Sequence, residues 1–126
     1  MKNLSAILLA AVLVSGCVQP LEDFAFASKS GCAAGEENIE IEGNISEVIV
    51  SGIITTPTPC YDLKVSGEKS GNEAVIKIET VSKGGVCIQC VGGHDFYSSF
   101  KSGNGTYTVK VFVNGRLAKQ QEIITG

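Results

Sequence analysis

From Asn38 onward the chain alternates apolar and polar residues with a period of two, and this alternation restricts the fold more than any other feature. Ile39 and Ile41 alternate with Glu40 and Glu42, and Tyr61, Leu63 and Val65 with Asp62, Lys64 and Ser66. Ile76 and Ile78 stand against Lys77 and Glu79, and Tyr107, Val109, Val111 and Val113 form the clearest run of all. Successive side chains of an extended strand point to opposite faces, so each run reads as a strand with one apolar and one wet face. Ser70-Gly71-Asn72, Gly84-Gly85, Asn104-Gly105 and Asn114-Gly115 break the runs. Asn-Gly between alternating runs signals a tight hairpin, because a type I′ turn needs positive φ twice. No amphipathic helical stretch intervenes, which argues against an α/β fold. Residues 38–126 therefore predict an all-β domain, an antiparallel β-sandwich of seven or eight short strands.

Length and charge narrow the function classes. A chain of 126 residues supports one domain. Hydrophobic residues make up 44% and charged ones 18%, too apolar a balance for disorder. The formal charge of −3 offers no basic footprint for nucleic acid. A single histidine leaves little machinery for general acid–base chemistry. These observations disfavour a hydrolase, a nucleic-acid binder and a multidomain enzyme, and the chain is read as no enzyme, with no cofactor and no metal.

The N-terminus reads as an address. Met1-Lys2-Asn3 is a short positive start, Leu4 to Val14 is an uncharged apolar run, and Ser15-Gly16-Cys17 follows. The run has the length of a signal-peptide core, about half of the roughly 20 residues a spanning helix needs. Val14-Ser15-Gly16-Cys17 resembles the lipobox of prokaryotic lipoproteins, with valine where leucine is usual. That resemblance implies a signal helix over residues 1–16 that is cut away, and a diacylglyceryl group on the Cys17 thiol. It implies a protein at the cell membrane or envelope, facing outside the cytoplasm, with the membrane as a partner through lipid. Buried methylenes hold such an anchor at about 0.8 kcal/mol each. Losing Lys2 with the signal takes the formal charge to −4, so attachment would rest on the lipid. Residues 17–37 contain Pro20, Gly31 and Gly35 without sustained periodicity and read as a tether, partly pinned by Cys32, with Leu21, Phe24 and Phe26 docking on the domain.

With Cys17 assigned to lipid, Cys32, Cys60, Cys87 and Cys90 remain, an even number in an exported chain, which implies two disulfides. Three pairings are possible. Cys87 and Cys90 would face opposite sides of a regular strand, which favours Cys60–Cys87 with Cys32–Cys90. A local Cys87–Cys90 bond with Cys32–Cys60 is the second arrangement. Cys87-Ile88-Gln89-Cys90 followed by His94 also supports another class, a metal or redox centre with Cys60 as fourth ligand. That chemistry needs thiolates, which an oxidising compartment removes. A redox CxxC would want a helix N-terminus, and its neighbours here read as strand and glycine loop. His94 beside Asp95, with Ser98 and Ser99 near, is read as a surface loop residue, since adjacency in sequence is not triad geometry.

The segments TPTPCYDL, GVCIQC and GTYTVKVFVNG together resemble a small immunoglobulin-like extracellular domain of prokaryotic envelope proteins, without the buried tryptophan of antibody domains. The resemblance implies a fold and no activity. Asn44-Ile45-Ser46 and Asn104-Gly105-Thr106 are glycosylation sequons, with Asn104 in the better exposed turn. Thr55 to Pro59 carries two prolines and reads as a stiff loop, the kind a protease inhibitor presents. The expectation is a lipid-anchored envelope protein with a non-catalytic binding or structural module. Loops 55–60 and 91–96 would meet an envelope protein or glycan.

Overall fold

A computed structural model describes residues 18–126; the expected signal segment, residues 1–16, and Cys17 lie outside them. Nine strands form two sheets: β1 Gln19–Pro20, β2 Glu22–Cys32, β3 Asn38–Gly43, β4 Glu47–Thr56, β5 Tyr61–Ser70, β6 Glu73–Ser82, β7 Gly92–Lys101, β8 Gly105–Val113 and β9 Arg116–Thr125. One sheet runs β1-β5-β6-β8-β9 and the other β2-β7-β4-β3. No helix occurs among the described residues. The predicted sandwich is present, with more strands than expected and one departure from antiparallel pairing. β6 and β8 run parallel, because the chain passes through β7 in the other sheet between them.

The inward half of each alternating run makes the core. Val48, Val50 and Ile54 of β4, Ile76 and Ile78 of β6, and Val109, Val111 and Val113 of β8 are buried, with Phe96 and Phe100 of β7. Ile39, Ile41 and Ile123 close the side where β3 meets β9. Asn114 and Gly115, at φ 51° and 80°, form the predicted hairpin turn. The Asn114 side-chain oxygen accepts the Thr80 N–H at 2.9 Å, tying that turn to β6.

The segment expected as a tether is built into the sandwich instead. β2 pairs with β7 from Ala25–Ser99 through to Cys32–Gly92. Phe24 and Phe26 are half-buried on its inner side, and Phe26 stacks on Phe96 at 6.0 Å. Its remaining residues are small or polar because an edge strand has one neighbour and buries little. That pattern made it look like loop. Leu21 carries the chain from the first sheet to the second. It is 6% exposed and lies so tightly over Gly67 that a Cβ there would strike it. The bend falls at Asp23, in left-handed conformation at φ 49°, where the β2–β7 register shifts. Its carboxylate meets Lys101 at 3.1 Å, and that hydrogen bond and charge hold the Lys101 ammonium above its ordinary pKa.

The register defines two poles. Gln19 pairs with Lys69 and Glu22 with Lys101, so the described chain begins at the end that carries turns 44–46, 71–72 and 102–104. Cys32 pairs with Gly92 and Tyr61 with Ser82 at the other end, which carries loops 33–37, 57–60 and 83–91. Strands of this length set the poles roughly 30 Å apart.

Candidate functional site: the crosslinked pole

Both disulfides sit at the pole opposite the one where the described residues begin. Cys32 bonds Cys90 and Cys60 bonds Cys87, with Cα separations of 5.8 and 6.0 Å, within the range that disulfide geometry allows. Cys87 and Cys90 lie on an irregular loop, residues 83–91, and each reaches a different sheet. Cys87 ties the loop to the start of β5, and Cys90 ties it to the end of β2. Three apolar side chains stand out from it. Val86 is fully exposed, Ile88 69% and Val91 58%. Two crosslinks thus fix an apolar surface in water.

His94 is not a surface loop residue. It lies in β7 and is fully buried. The signal was legible in the alternation: His94, Phe96, Ser98 and Phe100 share one parity, and all four face inward. The expected loop 91–96 is accordingly strand from Gly92 onward. Ser30 Oγ lies 2.7 Å from His94 Nδ1, and Thr56 Oγ1 2.8 Å from Nε2. Sequence reading missed both partners, since they come from other strands. The Thr56 hydroxyl has one proton and donates it to the Thr58 carbonyl, so it must accept from Nε2–H. Nδ1 is then the acceptor, and Ser30 donates to it. A neutral imidazole satisfies every group in this chain.

The order hydroxyl, imidazole, hydroxyl invites comparison with a catalytic triad. In a triad a carboxylate stabilises the imidazolium that forms. Here the third group is a neutral threonine. Burial pushes the His94 pKa below its ordinary value, Lys83 adds to that, and Asp62 opposes it. A base that resists its proton, with no anion behind it, fits a structural imidazole better than a catalytic one. Nor do Cys87, Cys90 and His94 converge. The two sulfurs are bonded elsewhere, and both ring nitrogens are taken.

A pH dependence follows. The unfolded imidazole takes a proton near pH 6.5, the folded one only at lower pH. Between those values the unfolded chain binds more protons, so stability falls as pH drops through that window and is level above it. Urea midpoints measured at about pH 7.5 and about pH 5 are expected to differ in wild type, with less difference in His94→Leu. Equal pH dependence in both would refute the assignment.

The remaining sequence candidates divide between the poles. Asn44 and Asn104 are exposed in neighbouring turns at the pole where the chain begins, and Ser102 N–H bonds the Ser46 carbonyl at 2.9 Å between them. Thr55 and Thr56 end β4, and only residues 57–60 form a loop, with Thr56 buried beneath it. On the outer face of the second sheet, Lys29, Gly31, Ala33, Ala34, Ile53 and Gly93 border a groove of about 270 Å³.

Residues 48–123, from β4 into β9, match the family model described as the ORF11 beta-sandwich domain. No curated protein and no solved structure matches.

Proposed function

The chain belongs to the ORF11 beta-sandwich domain family, and we propose that it is a lipid-anchored envelope protein whose sandwich is a non-catalytic binding module. The observation that carries this reading is the separation of the poles. The described chain starts one residue after Cys17, and Gln19 is already in β1. A lipid on Cys17 would hold that pole at the membrane surface with almost no slack. The crosslinked loops would then face outward, roughly 30 Å from the headgroups. Two disulfides suit a protein exported to an oxidising compartment. Rigid loops bind with less entropy lost than mobile ones, so a doubly tied apolar loop is suited to recognise an envelope protein or glycan.

Substituting Cys17→Ser tests the anchor. The expected result is a protein released from the membrane or left with its signal uncut, because no thiol accepts the lipid. Unchanged partitioning into detergent would overturn the proposal.

A further inference from the structure

Among the described residues, no strand pairs with the outer edge of β2 in the second sheet. The Ala33 N–H bonds the Val91 carbonyl at 2.8 Å, which fixes the phase of the β2–β7 ladder. Residues 27, 29 and 31 therefore turn their backbone groups toward β7, and Phe26, Ser28, Ser30 and Cys32 turn theirs outward. No backbone hydrogen bond outside the ladders involves residues 22–32 among those described. Folded proteins usually blunt such an edge with charge, proline or a bulge. The edges at β3 and β9 carry such devices. β3 presents Glu40 and Glu42, and β9 skips a residue at Ala118 and carries Lys119 and Glu122. From Ala25 to Cys32, β2 has one charge, Lys29, no proline and unbroken register. Beside its distal half lies the groove bordered by Gly31, Ala33 and Gly93, with open space where a side chain at Gly31 would stand.

We propose that β2 accepts an extended segment of a partner protein as an added strand. Its backbone would pair with residues 26, 28, 30 and 32, and one small apolar side chain would enter the groove at Gly31. This is recognition by strand addition, in which the main chain supplies affinity and alternate side chains supply selectivity. A second copy of this chain fits less well, a point that rests on the lipid-anchored reading. Antiparallel pairing of two β2 strands about a two-fold axis turns one copy over. Its first residues would then point away from the membrane that holds the other.

The test uses the mature chain and a displayed library of linear peptides as probe. Enriched peptides are expected to alternate apolar residues and to slow amide exchange at Ser28, Ser30 and Cys32. Ser28→Pro removes an outward N–H that β7 does not use and should weaken their binding roughly ten-fold. Gly31→Val, at a position with open space around it, should fold normally and weaken binding by filling the groove. Peptides that bind both variants as well as wild type, or no enrichment, would overturn the proposal. Self-association abolished by Ser28→Pro would overturn it too, assigning the edge to a second copy. Should Cys17→Ser leave the protein on the membrane, the anchor reading fails while the peptide result stands by itself.

Discussion

Replacing Cys32, Cys60, Cys87 and Cys90 with serine is expected to leave the domain largely unfolded at physiological temperature. The bonds close spans of 58 and 27 residues. In the chain-entropy account each removes about 4 kcal/mol of freedom from the unfolded state. A domain of this size is stable by only about 5–15 kcal/mol, so losing both consumes most of the margin. Loss of either bond alone should lower the melting temperature by about 15 °C or more. The pair Cys32→Ser, Cys90→Ser should cost somewhat more than Cys60→Ser, Cys87→Ser, because its loop is longer. Thermal unfolding of the two double variants and the quadruple one checks this. Melting within a few degrees of wild type would show that the crosslinks decorate a domain that does not need them.

Gly92→Ala is the second large effect, through crowding rather than lost constraint. A Cβ on Gly92 would run into the Thr58 carbonyl and the Thr56 hydroxyl, and the first of these is backbone that cannot rotate aside. Either residues 57–60 move or β7 shifts against β4. Overpacking of this kind costs about 1–3 kcal/mol, and here the upper end is expected because both neighbours are held. One is fixed by the Cys60–Cys87 bond and the other by His94. The variant should also disturb the Thr56–His94 contact, visible as a changed imidazole resonance. A folded protein with that resonance unmoved would mean that loop 57–60 yields more easily than its surroundings imply.

What the sequence made legible was the part of the fold that repeats. Period-two runs located β3, β5, β6 and β8, and parity within them picked out Ile39, Ile76, Val109 and their inward neighbours. β2 escaped because an edge strand need not alternate strongly. Its Phe24 and Phe26 were noticed, but as residues docking from outside. The partners of His94 escaped for a different reason. Ser30 and Thr56 are ordinary residues made specific by register, and register between distant strands is a tertiary property that no local pattern records. The favoured disulfide pairing rested on strand parity, whereas Cys87 and Cys90 lie on an irregular loop. The same pairing arises there because two sheets flank that loop.

The path of β2 has a mechanical meaning. It runs from the pole where the chain begins to the pole that carries the crosslinks, hydrogen-bonded to β7 along most of its length. Tension applied at Val18 is directed along the strand, so the ladder is loaded in shear, with its bonds resisting together rather than opening one after another. What passes Cys32 is handed to Cys90 through a covalent bond. The strand that looks from the sequence like a slack leash is the member through which the domain would bear a pull.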